Sequence, residues 1–318
     1  MRLLITGATG LIGRPLCRLL SDEGHTVIAL SRSPRNAGGM AAEKVYEWQS
    51  QSGPPPAEAL EAIDAVVHLA GEPIAGRRWT DEQKRRIRDS RVISTRHLVN
   101  GISAASPRPA ALISSSAVGF YGDRGDERLD EDAAPGQGFM PEVCREWEAE
   151  AARAGESGVR VVLVRTGVVL ARGGGALEKM LPPFRLGVGG RIASGRQWFP
   201  WIHLDDIVGI FRHAAFSPSL GGAVNGVAPA VVTNKEFTEQ LARVLHRPAL
   251  FPVPEFALRM MFGEMADVLL GSQRVIPRRL AESGYEFLYP QLMPALEDLV
   301  GKQAGQAGRE RKAKVGSI

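Results

Sequence analysis

The sequence predicts an α/β fold with a doubly wound parallel sheet, followed by a smaller α/β region toward the C-terminus. Two observations carry this prediction: apolar runs of strand length alternate with helical stretches, and spaced glycines join the first such pair. A chain of 318 residues can also bury a substantial core. Because glycine and proline interrupt the pattern after Val169, we expect one domain at 1–168, a smaller region at 169–300 with some segments returning to the first domain, and a disordered basic tail at 301–318.

Apolar composition and helical periodicity locate the elements of the first domain. We expect strands at 3–6, 26–30, 65–69, 110–114 and 159–165. Helices are expected at 11–20, 57–63, 81–104 and 141–154, with a polar, proline-rich loop at 49–56. Strands this apolar are typical of a parallel sheet that helices cover on both faces.

The first turn of the chain has the glycine spacing of a dinucleotide-binding site. Gly7 permits a tight turn, Gly10 lets the backbone approach a pyrophosphate, and Gly13 lets the next helix pack closely on the strand. The N-terminus of that helix offers unpaired N–H groups to phosphate oxygens. We therefore predict a Rossmann domain whose cofactor-binding turn consists of Gly7, Ala8, Thr9, Gly10, Leu11, Ile12 and Gly13.

The residues after the second predicted strand indicate which dinucleotide is bound. A site that prefers NAD commonly has an acidic residue here for the ribose 2′-hydroxyl, whereas this chain has Ser31 and Arg32. The Arg32 guanidinium, helped by Arg35, can pair with a 2′-phosphate. We therefore expect NADP(H) as the cofactor and NAD as the less favoured one. The alternative is that Arg32 is a solvated loop charge and that specificity is set elsewhere.

Two further strand ends are expected at the same edge of the sheet, where ligands bind in open α/β folds. The third strand runs into small residues that let a cofactor pass close to the backbone, and the fourth ends in serines whose hydroxyls would face the nicotinamide. The first set is Leu69, Ala70, Gly71 and Glu72, and the second is Ser114, Ser115 and Ser116.

Short motifs recur along the chain in a characteristic order. They are the glycine turn, His68-Leu69-Ala70-Gly71, the serine run that ends in Tyr121-Gly122, Val164-Arg165, and Trp201-Ile202-His203-Leu204-Asp205-Asp206. In this order they resemble the extended short-chain dehydrogenases/reductases. A second set is similar to an atypical branch, the nucleoside-diphosphate-sugar epimerases: Ala70 to Ile74, Arg78-Trp79-Thr80, Gly189-Gly190, Gly195-Arg196-Gln197-Trp198, Pro252-Val253-Pro254, Gly263-Glu264 and Leu280. The resemblance covers about residues 1–300.

One part of the family pattern is missing from this chain. The resemblance implies a Tyr as general acid and base, and a Lys four residues later that lowers the Tyr pKa and holds the nicotinamide ribose. Alignment on Glu148 puts Met140 and Cys144 at these positions, and neither side chain can do that chemistry. No Tyr-x-x-x-Lys occurs anywhere in the sequence, and loss of the pair is a feature of the atypical branch.

Other groups must supply a proton if the protein is an enzyme. Ser116 best matches the family's substrate-binding Ser or Thr, and Ser115 follows because the run before Tyr121 is one residue longer than usual. Tyr121 either replaces the missing tyrosine or is a loop aromatic that packs beneath the site. The remaining candidates are Glu72, Glu131 and His203. The alternative for Glu72 is an exposed carboxylate, and for His203 it is a structural histidine.

Two clusters are candidates for binding the substrate or the cofactor phosphates. A basic stretch around Trp79 continues into the helix from Asp81, where Lys84, Arg88 and Arg91 share a face. We expect Arg91 at the cofactor, and the alternative is a solvated helix face. The second cluster suits a nucleotide or sugar, with ordinary packing between domains as the alternative, and consists of Arg196, Gln197, Trp198 and Trp201.

Composition argues against several other classes of protein. The net charge is +4, but residues 301–318 alone carry this excess, so we expect no nucleic-acid partner. Cys17 and Cys144 are too few and too far apart for a disulfide framework or a metal site. No apolar run approaches the roughly 20 residues of a membrane span, and residues 1–20 lack a signal-peptide pattern, so we expect a cytoplasmic protein with no membrane partner.

Two functions remain open. The first is an enzyme that passes hydride between NADP(H) and a carbinol or carbonyl substrate, with a nucleotide sugar as one candidate. The second is a sensor or scaffold that binds NADP(H) without turning it over. The missing pair favours the second, whereas the intact glycine turn and the polar, aromatic second region favour the first. On balance the sequence favours the first, an enzyme-derived fold, and the sensor or scaffold is the alternative. We expect an unidentified small-molecule substrate and a monomer or homodimer.

Overall fold

The computed structural model describes residues 1–34, 38–75 and 77–301. Its strands are β1 (Arg2–Thr6), β2 (Thr26–Ser31), β3 (Lys44–Glu47), β4 (Ala65–His68), β5 (Ala111–Ala117), β6 (Arg128–Leu129), β7 (Arg160–Thr166), β8 (Val168–Ala171), β9 (Trp198–Phe199), β10 (Trp201–His203), β11 (Gly222–Gly226), β12 (Val232–Thr233) and β13 (Arg274–Val275). Its α-helices are α1 (Gly13–Asp22), α2 (Asp81–Ala104), α3 (Phe139–Ala152), α4 (Gly175–Arg185), α5 (Leu204–Phe216), α6 (Asn234–Leu245), α7 (Glu255–Phe262), α8 (Ala266–Leu270), α9 (Arg278–Glu282) and α10 (Leu292–Val300).

A seven-stranded sheet forms the centre of the fold, in the order β11-β7-β5-β4-β1-β2-β3. All six pairings in it are parallel. The first strand lies inside the sheet with β4 on one side and β2 on the other, so the strand order reverses at β1. This confirms the predicted doubly wound parallel sheet and puts the topological switch point at the carboxyl ends of β1 and β4.

Successive side chains of the central strands point to opposite faces of the sheet and contribute to an apolar core on each face. In β1, Leu3 and Ile5 belong to one apolar cluster with helices α1 and α5, while Leu4 belongs to a second cluster with α2 and the end of α3. All three side chains are fully buried. A strand without a polar face is stable only between two helical layers, which is why this segment is apolar throughout.

Several elements differ from the sequence prediction. The predicted helix at 57–63 is wrong, because only a 3₁₀ turn at Ala57–Ala59 forms there. Regular structure also continues after Val169: α4 contains Pro182 and Pro183, and its buried Leu177, Leu181 and Phe184 hold it on the core. The sequence prediction missed two sheet strands, β3 and β11. Both are short, and their composition does not separate them from loops.

The C-terminal segments cover the carboxyl edge of the sheet beside β5. Strand β13 pairs with β6, and Gln273 donates hydrogen bonds to the carbonyls of Val118 and Gly122 at 3.1 and 2.9 Å. A third apolar cluster forms here between α2, α3 and the segment around Met265. It packs over the chain that follows β5 and thereby sets the environment of the predicted reaction site.

Candidate functional site

The glycine turn lies at the switch point of the sheet. Gly7 has a φ of +65°, and a Cβ there would lie 2.7 Å from the carbonyl carbon of Leu69. A Cβ on Gly13 would lie 2.2 Å from the carbonyl oxygen of Gly7. Packing within the chain therefore requires glycine at both positions. Gly10 is different, because it is exposed and a Cβ there would meet only the Gly7 oxygen, at 3.1 Å.

The rest of the turn leads into the open end of helix α1. Ala8 is buried, Thr9 and Leu11 are exposed, and Ile12 is the half-buried N-cap residue. No side chain caps this helix, but the Arg14 N–H donates to the Gly10 carbonyl at 3.1 Å and Pro15 has no N–H. The first turn of the helix therefore offers the N–H of Gly13 to water or an anionic ligand. The turn thus has the local geometry expected of a phosphate-binding turn.

A hydrogen-bond network behind the turn fixes the loop that follows β4. The Thr6 hydroxyl accepts hydrogen bonds from the N–H groups of Leu69 and Ala70 at 3.1 and 3.2 Å. With both lone pairs used, it donates to Nδ1 of His68 at 2.7 Å, and His68 Nε2 donates to Thr95 Oγ1 at 3.0 Å. Burial lowers the pKa of His68 to about 4, so the ring is neutral near pH 7. Sequence reasoning missed this role of Thr6 and Thr95.

The predicted specificity residues lie beside each other at the carboxyl end of β2. Ser31 closes the strand opposite Glu47 of β3, and its Oγ accepts a hydrogen bond from the N–H of Ser33 at 3.2 Å. Arg32 is exposed, and Gln49 Nε2 donates to its carbonyl oxygen at 3.1 Å. The Arg32 guanidinium thus borders solvent at the edge where a 2′-phosphate is expected. Arg35 lies outside the described residues.

The three serines lie inside β5 rather than after it, because the strand continues to Ala117. Ser114 is buried and donates to the Ser115 carbonyl at 3.2 Å, whereas Ser115 is half-buried. Ser116 is buried and donates its hydroxyl proton to Oε1 of Glu148 on α3, at 2.6 Å. This proton is therefore engaged inside the protein.

Glu148 pairs with Arg165 of β7. The Nε and Nη2 atoms of Arg165 donate to the two carboxylate oxygens, each at 2.9 Å. Burial alone lowers the pKa of Arg165, but the hydrogen bonds and charge of Glu148 more than offset this and keep the pKa above its ordinary value. The pair is a buried, bidentate salt bridge beneath the serine strand.

Tyr121 joins the same network. Its ring is fully buried, and its hydroxyl lies 2.7 Å from Oδ1 of Asn225 and accepts from Nη1 of Arg165 at 3.0 Å. Burial raises the pKa of the phenol. This arrangement agrees with a tyrosine that packs beneath the site. A role in proton transfer would require the hydroxyl to leave these partners.

The positions aligned with the missing pair lie on the buried face of α3. Met140 is 8% exposed and Cys144 is 0% exposed. A Cβ built on Gly119 would lie 3.4 Å from Cβ and Cε of Met140 and 3.8 Å from Cys144 Sγ. These two side chains pack against the chain that follows β5, in the cluster that includes Trp79 and Met265.

The basic stretch on α2 divides into paired and unpaired cations. Lys84 forms an ion pair with Glu264, and Arg88 pairs with Asp89 and with Glu146 at 3.3 and 2.6 Å. Arg91 is half-buried and belongs to no ion pair among the described residues. Its guanidinium borders Gly71, an exposed residue in the loop that follows β4. Half-buried Glu72 follows, and its N–H donates to Ser90 Oγ at 3.0 Å.

The predicted substrate cluster divides between surface and core. Arg196 is exposed. Trp198 is half-buried, its indole N–H donates to Asp126 at 2.8 Å, and Arg274 lies 4.7 Å from its ring centre. Trp201 is 1% exposed and belongs to the core, so a role in lining a ligand site is wrong for this residue.

The other candidate acids and bases have structural partners. His203 Nδ1 accepts the N–H of Asp205 and caps α5, and burial lowers the pKa of the ring. Glu131 Oε1 accepts the N–H of Asn225 at 3.0 Å, and burial raises the pKa of this carboxyl. The sequence offered one clue to these networks, namely polar residues at the ends of otherwise apolar strands. It did not indicate their partners.

Comparison with known proteins agrees with this architecture. The family profile described as NAD dependent epimerase/dehydratase matches residues 3–225, and a domain of unknown function, DUF1731, matches residues 253–299. The chain is 41% identical over 311 residues to an Arabidopsis thaliana protein named Epimerase family protein SDR39U1 homolog, chloroplastic, covering 94% of this chain and 87% of that protein. In the described ranges, no helix combines the length and apolar character needed to cross a membrane.

Two solved structures are similar over nearly the whole chain. The crystal structure of human epimerase family protein SDR39U1 (isoform 2) with NADPH has a TM-score of 0.85 and 40% identity, covering 94% of this chain and 99% of that one. The nucleoside-diphosphate sugar epimerase from Corynebacterium glutamicum has a TM-score of 0.78 and 33% identity, covering 99% of this chain and 61% of that one.

Proposed function

This chain belongs to the NAD dependent epimerase/dehydratase family, and from that premise we propose that it binds NADPH at the carboxyl edge of β1 and β4. The observation that carries the proposal is the glycine turn at the switch point, with an exposed Gly10 and an uncapped α1 behind it. A relative of 40% identity was crystallised with NADPH, which supports the same cofactor here.

In this proposal each part of the edge holds one part of the cofactor. The turn from Gly7 to Gly13 and the N-terminus of α1 bind the pyrophosphate. Ser31 and Arg32 bind the 2′-phosphate of the adenosine ribose, and this contact makes NADPH preferred over NADH. The loop after β4 lines the rest of the cofactor, with Ser114 at the nicotinamide end. The residues of that loop are Leu69 and Ala70, whose N–H groups Thr6 binds, and then Gly71 and Glu72.

When bound, NADPH supplies a hydride. The hydroxyl protons of Ser116 and Tyr121, two of the three candidate donors, are used inside the protein, which favours binding without an accompanying proton transfer. We therefore propose an NADPH-binding protein that acts as a sensor or scaffold. A cytoplasmic location and a monomer or homodimer stay predictions from the sequence.

A second candidate is a nucleotide-sugar epimerase or oxidoreductase with a non-standard proton donor. It is favoured by the relative named a nucleoside-diphosphate sugar epimerase and by the exposed Arg196 beside Trp198, which could bind a sugar nucleotide. In that case Ser115, the half-buried serine of β5, is the donor with the fewest competing partners among the three candidates Ser115, Ser116 and Tyr121.

Calorimetric titration of the purified chain tests the main proposal. We expect NADPH to bind at least about tenfold more tightly than NADH, because the 2′-phosphate adds a charge-assisted contact. Failure to bind NADPH would refute the proposal. Incubation with UDP-hexoses and cofactor, followed by NMR of the sugar protons, tests the second candidate. Conversion of the sugar would show that the protein is an enzyme and would refute the proposed role as a sensor or scaffold.

A further inference from the structure

Helix α3 carries a neutral residue at the place where the family resemblance implies the lysine that holds the nicotinamide ribose. Cys144 occupies that place, is fully buried, and packs beside Gly119 at the end of β5. Burial raises the pKa of its thiol to about 12, so the side chain is uncharged near pH 7. Cys144 therefore cannot donate the charge-assisted hydrogen bonds that the lysine would make.

Arg91 brings a guanidinium to the same part of the site from the neighbouring helix α2. A Cβ built on Gly71 would lie 3.4 Å from its Cζ, so the guanidinium borders the loop after β4. On its other side, Cζ lies 5.3 Å from the ring centre of Trp147, which follows Cys144 by one helical turn. Arg91 thus lies between the β4 loop and α3, the two elements that flank the nicotinamide half of the predicted cofactor site.

Arg91 differs from the other cations on its face of α2 in the partners that it has. Lys84 and Arg88 are both compensated by carboxylates. Arg91 instead donates from Nη1 to the carbonyl of Ile87 at 3.0 Å and lies 3.5 Å from Ser90 Oγ. Burial lowers the pKa of Arg91, and Glu72 acts on it through space without forming an ion pair in the described part of the chain. A guanidinium has five N–H donors, so Arg91 keeps donors for a ligand.

We propose that Arg91 replaces the missing lysine and that its guanidinium donates hydrogen bonds to the hydroxyls of the nicotinamide ribose. The inference rests on the proposed NADPH binding and makes it more specific. The planar fork of a guanidinium can contact two neighbouring oxygen atoms, and the vicinal hydroxyls of a ribose present such a pair. Arg91 is a cofactor-binding residue in this scheme and transfers no proton.

Three ligands that differ by one group each test this assignment by calorimetric titration. The first, 2′-phosphoadenosine 5′-diphosphate, contains the pyrophosphate but no second ribose. The second, 2′-phosphoadenosine 5′-diphosphoribose, adds that ribose, and NADPH adds the nicotinamide. Arg91→Leu should weaken the second and third ligands at least about tenfold and leave the first within about twofold, because a charge-assisted contact is lost only where the ribose is present.

Two further variants complete the experiment. Arg96→Leu removes a cation that also lies on α2, where it pairs with Glu150, and should leave all three affinities unchanged. Arg91→Lys keeps the charge, provides a test if the leucine variant does not fold, and should bind the two ribose-containing ligands with affinity between those of the wild type and Arg91→Leu.

The outcomes separate this inference from the function on which it rests. Equal weakening of all three ligands would assign Arg91 to the pyrophosphate and overturn the inference, and unchanged affinities would overturn it as well. If the wild-type chain binds none of the three ligands, the proposed function itself fails.

Discussion

The two halves of the sheet's carboxyl edge use their polar groups in opposite ways. Over β1 and β4, the buried hydroxyl of Thr6 fixes the backbone from behind, and the exposed Gly10 and the uncapped end of α1 are left at the surface. Over β5 and β7, the polar side chains of Ser116, Glu148 and Arg165 bond to one another below the surface. The first half is the one to which we assign the cofactor, whereas the second half satisfies its own buried charge.

Under the proposed function, this difference would make binding and chemistry separable in this fold. A cofactor site made of backbone needs only glycine at certain positions and rigid support. Proton transfer needs a side chain with a labile proton within hydrogen-bond reach of the substrate. The following experiments test whether the two halves are independent, in order of decreasing expected effect.

The largest effect is expected in the second half of the edge, over β5 and β7. Arg165→Met leaves Glu148 buried without its cation, which should lower the free energy of unfolding by about 3 to 5 kcal/mol in urea denaturation. Arg153→Met removes an exposed arginine from Glu150, which keeps its second partner Arg96, and should cost less than about 1 kcal/mol. NADPH affinity of the folded Arg165 variant should stay unchanged. A large loss of affinity would show that the halves are coupled.

A pH-dependent effect on stability is expected in the first half of the edge, over β1 and β4. His68 has a folded-state pKa of about 4 against an ordinary value of 6.5, so the unfolded chain binds a proton there that the folded chain does not. This site should therefore lower stability as pH falls from 6.5 to 4, by about 3 kcal/mol in total. Urea denaturation of His68→Gln, measured from pH 6.5 to 4, should not show this loss of stability. His246→Asn, at an exposed histidine, should retain the wild-type slope.

Gly10 provides the sharpest test of ligand binding without a stability change. Gly10→Leu should weaken NADPH about a hundredfold, since the side chain would fill the space assigned to the pyrophosphate, while the unfolding temperature stays close to that of the wild type. The control is Gly155→Leu, at a glycine where a Cβ meets nothing within 4 Å. Unchanged NADPH affinity in the Gly10 variant would move the cofactor away from this turn.

The smallest effect concerns the choice between NADPH and NADH. Arg32→Asp should weaken NADPH by about tenfold or more and change NADH little, because only NADPH has the 2′-phosphate. Arg18→Asp makes the same charge change on the exposed face of α1 and should alter both affinities equally. Equal losses for both cofactors in the Arg32 variant would remove this residue from specificity.

The sequence predicted much of the fold correctly. It did not predict which residues form hydrogen bonds with one another inside the site. Helix α2 has the predicted bounds, because Thr80 caps it and its apolar residues recur with helical spacing. By contrast, the sequence suggested Ser116 as a hydrogen-bond donor to a substrate, whereas its proton goes to Glu148, 32 residues away. Contacts over such separations depend on how the elements pack, and local patterns do not encode them.

By itself, the sequence determined the α/β class, the parallel sheet and the glycine turn, because backbone conformation and apolar periodicity are local properties. Only the tertiary structure decided that β11 pairs with β7 at the edge of the sheet and that Tyr121 bonds to Asn225. It also decided that Lys84 and Arg88 pair with carboxylates while Arg91, within the described part of the chain, does not. The physical reason is that the state of a polar group depends on which distant residues share its surroundings once water has been excluded.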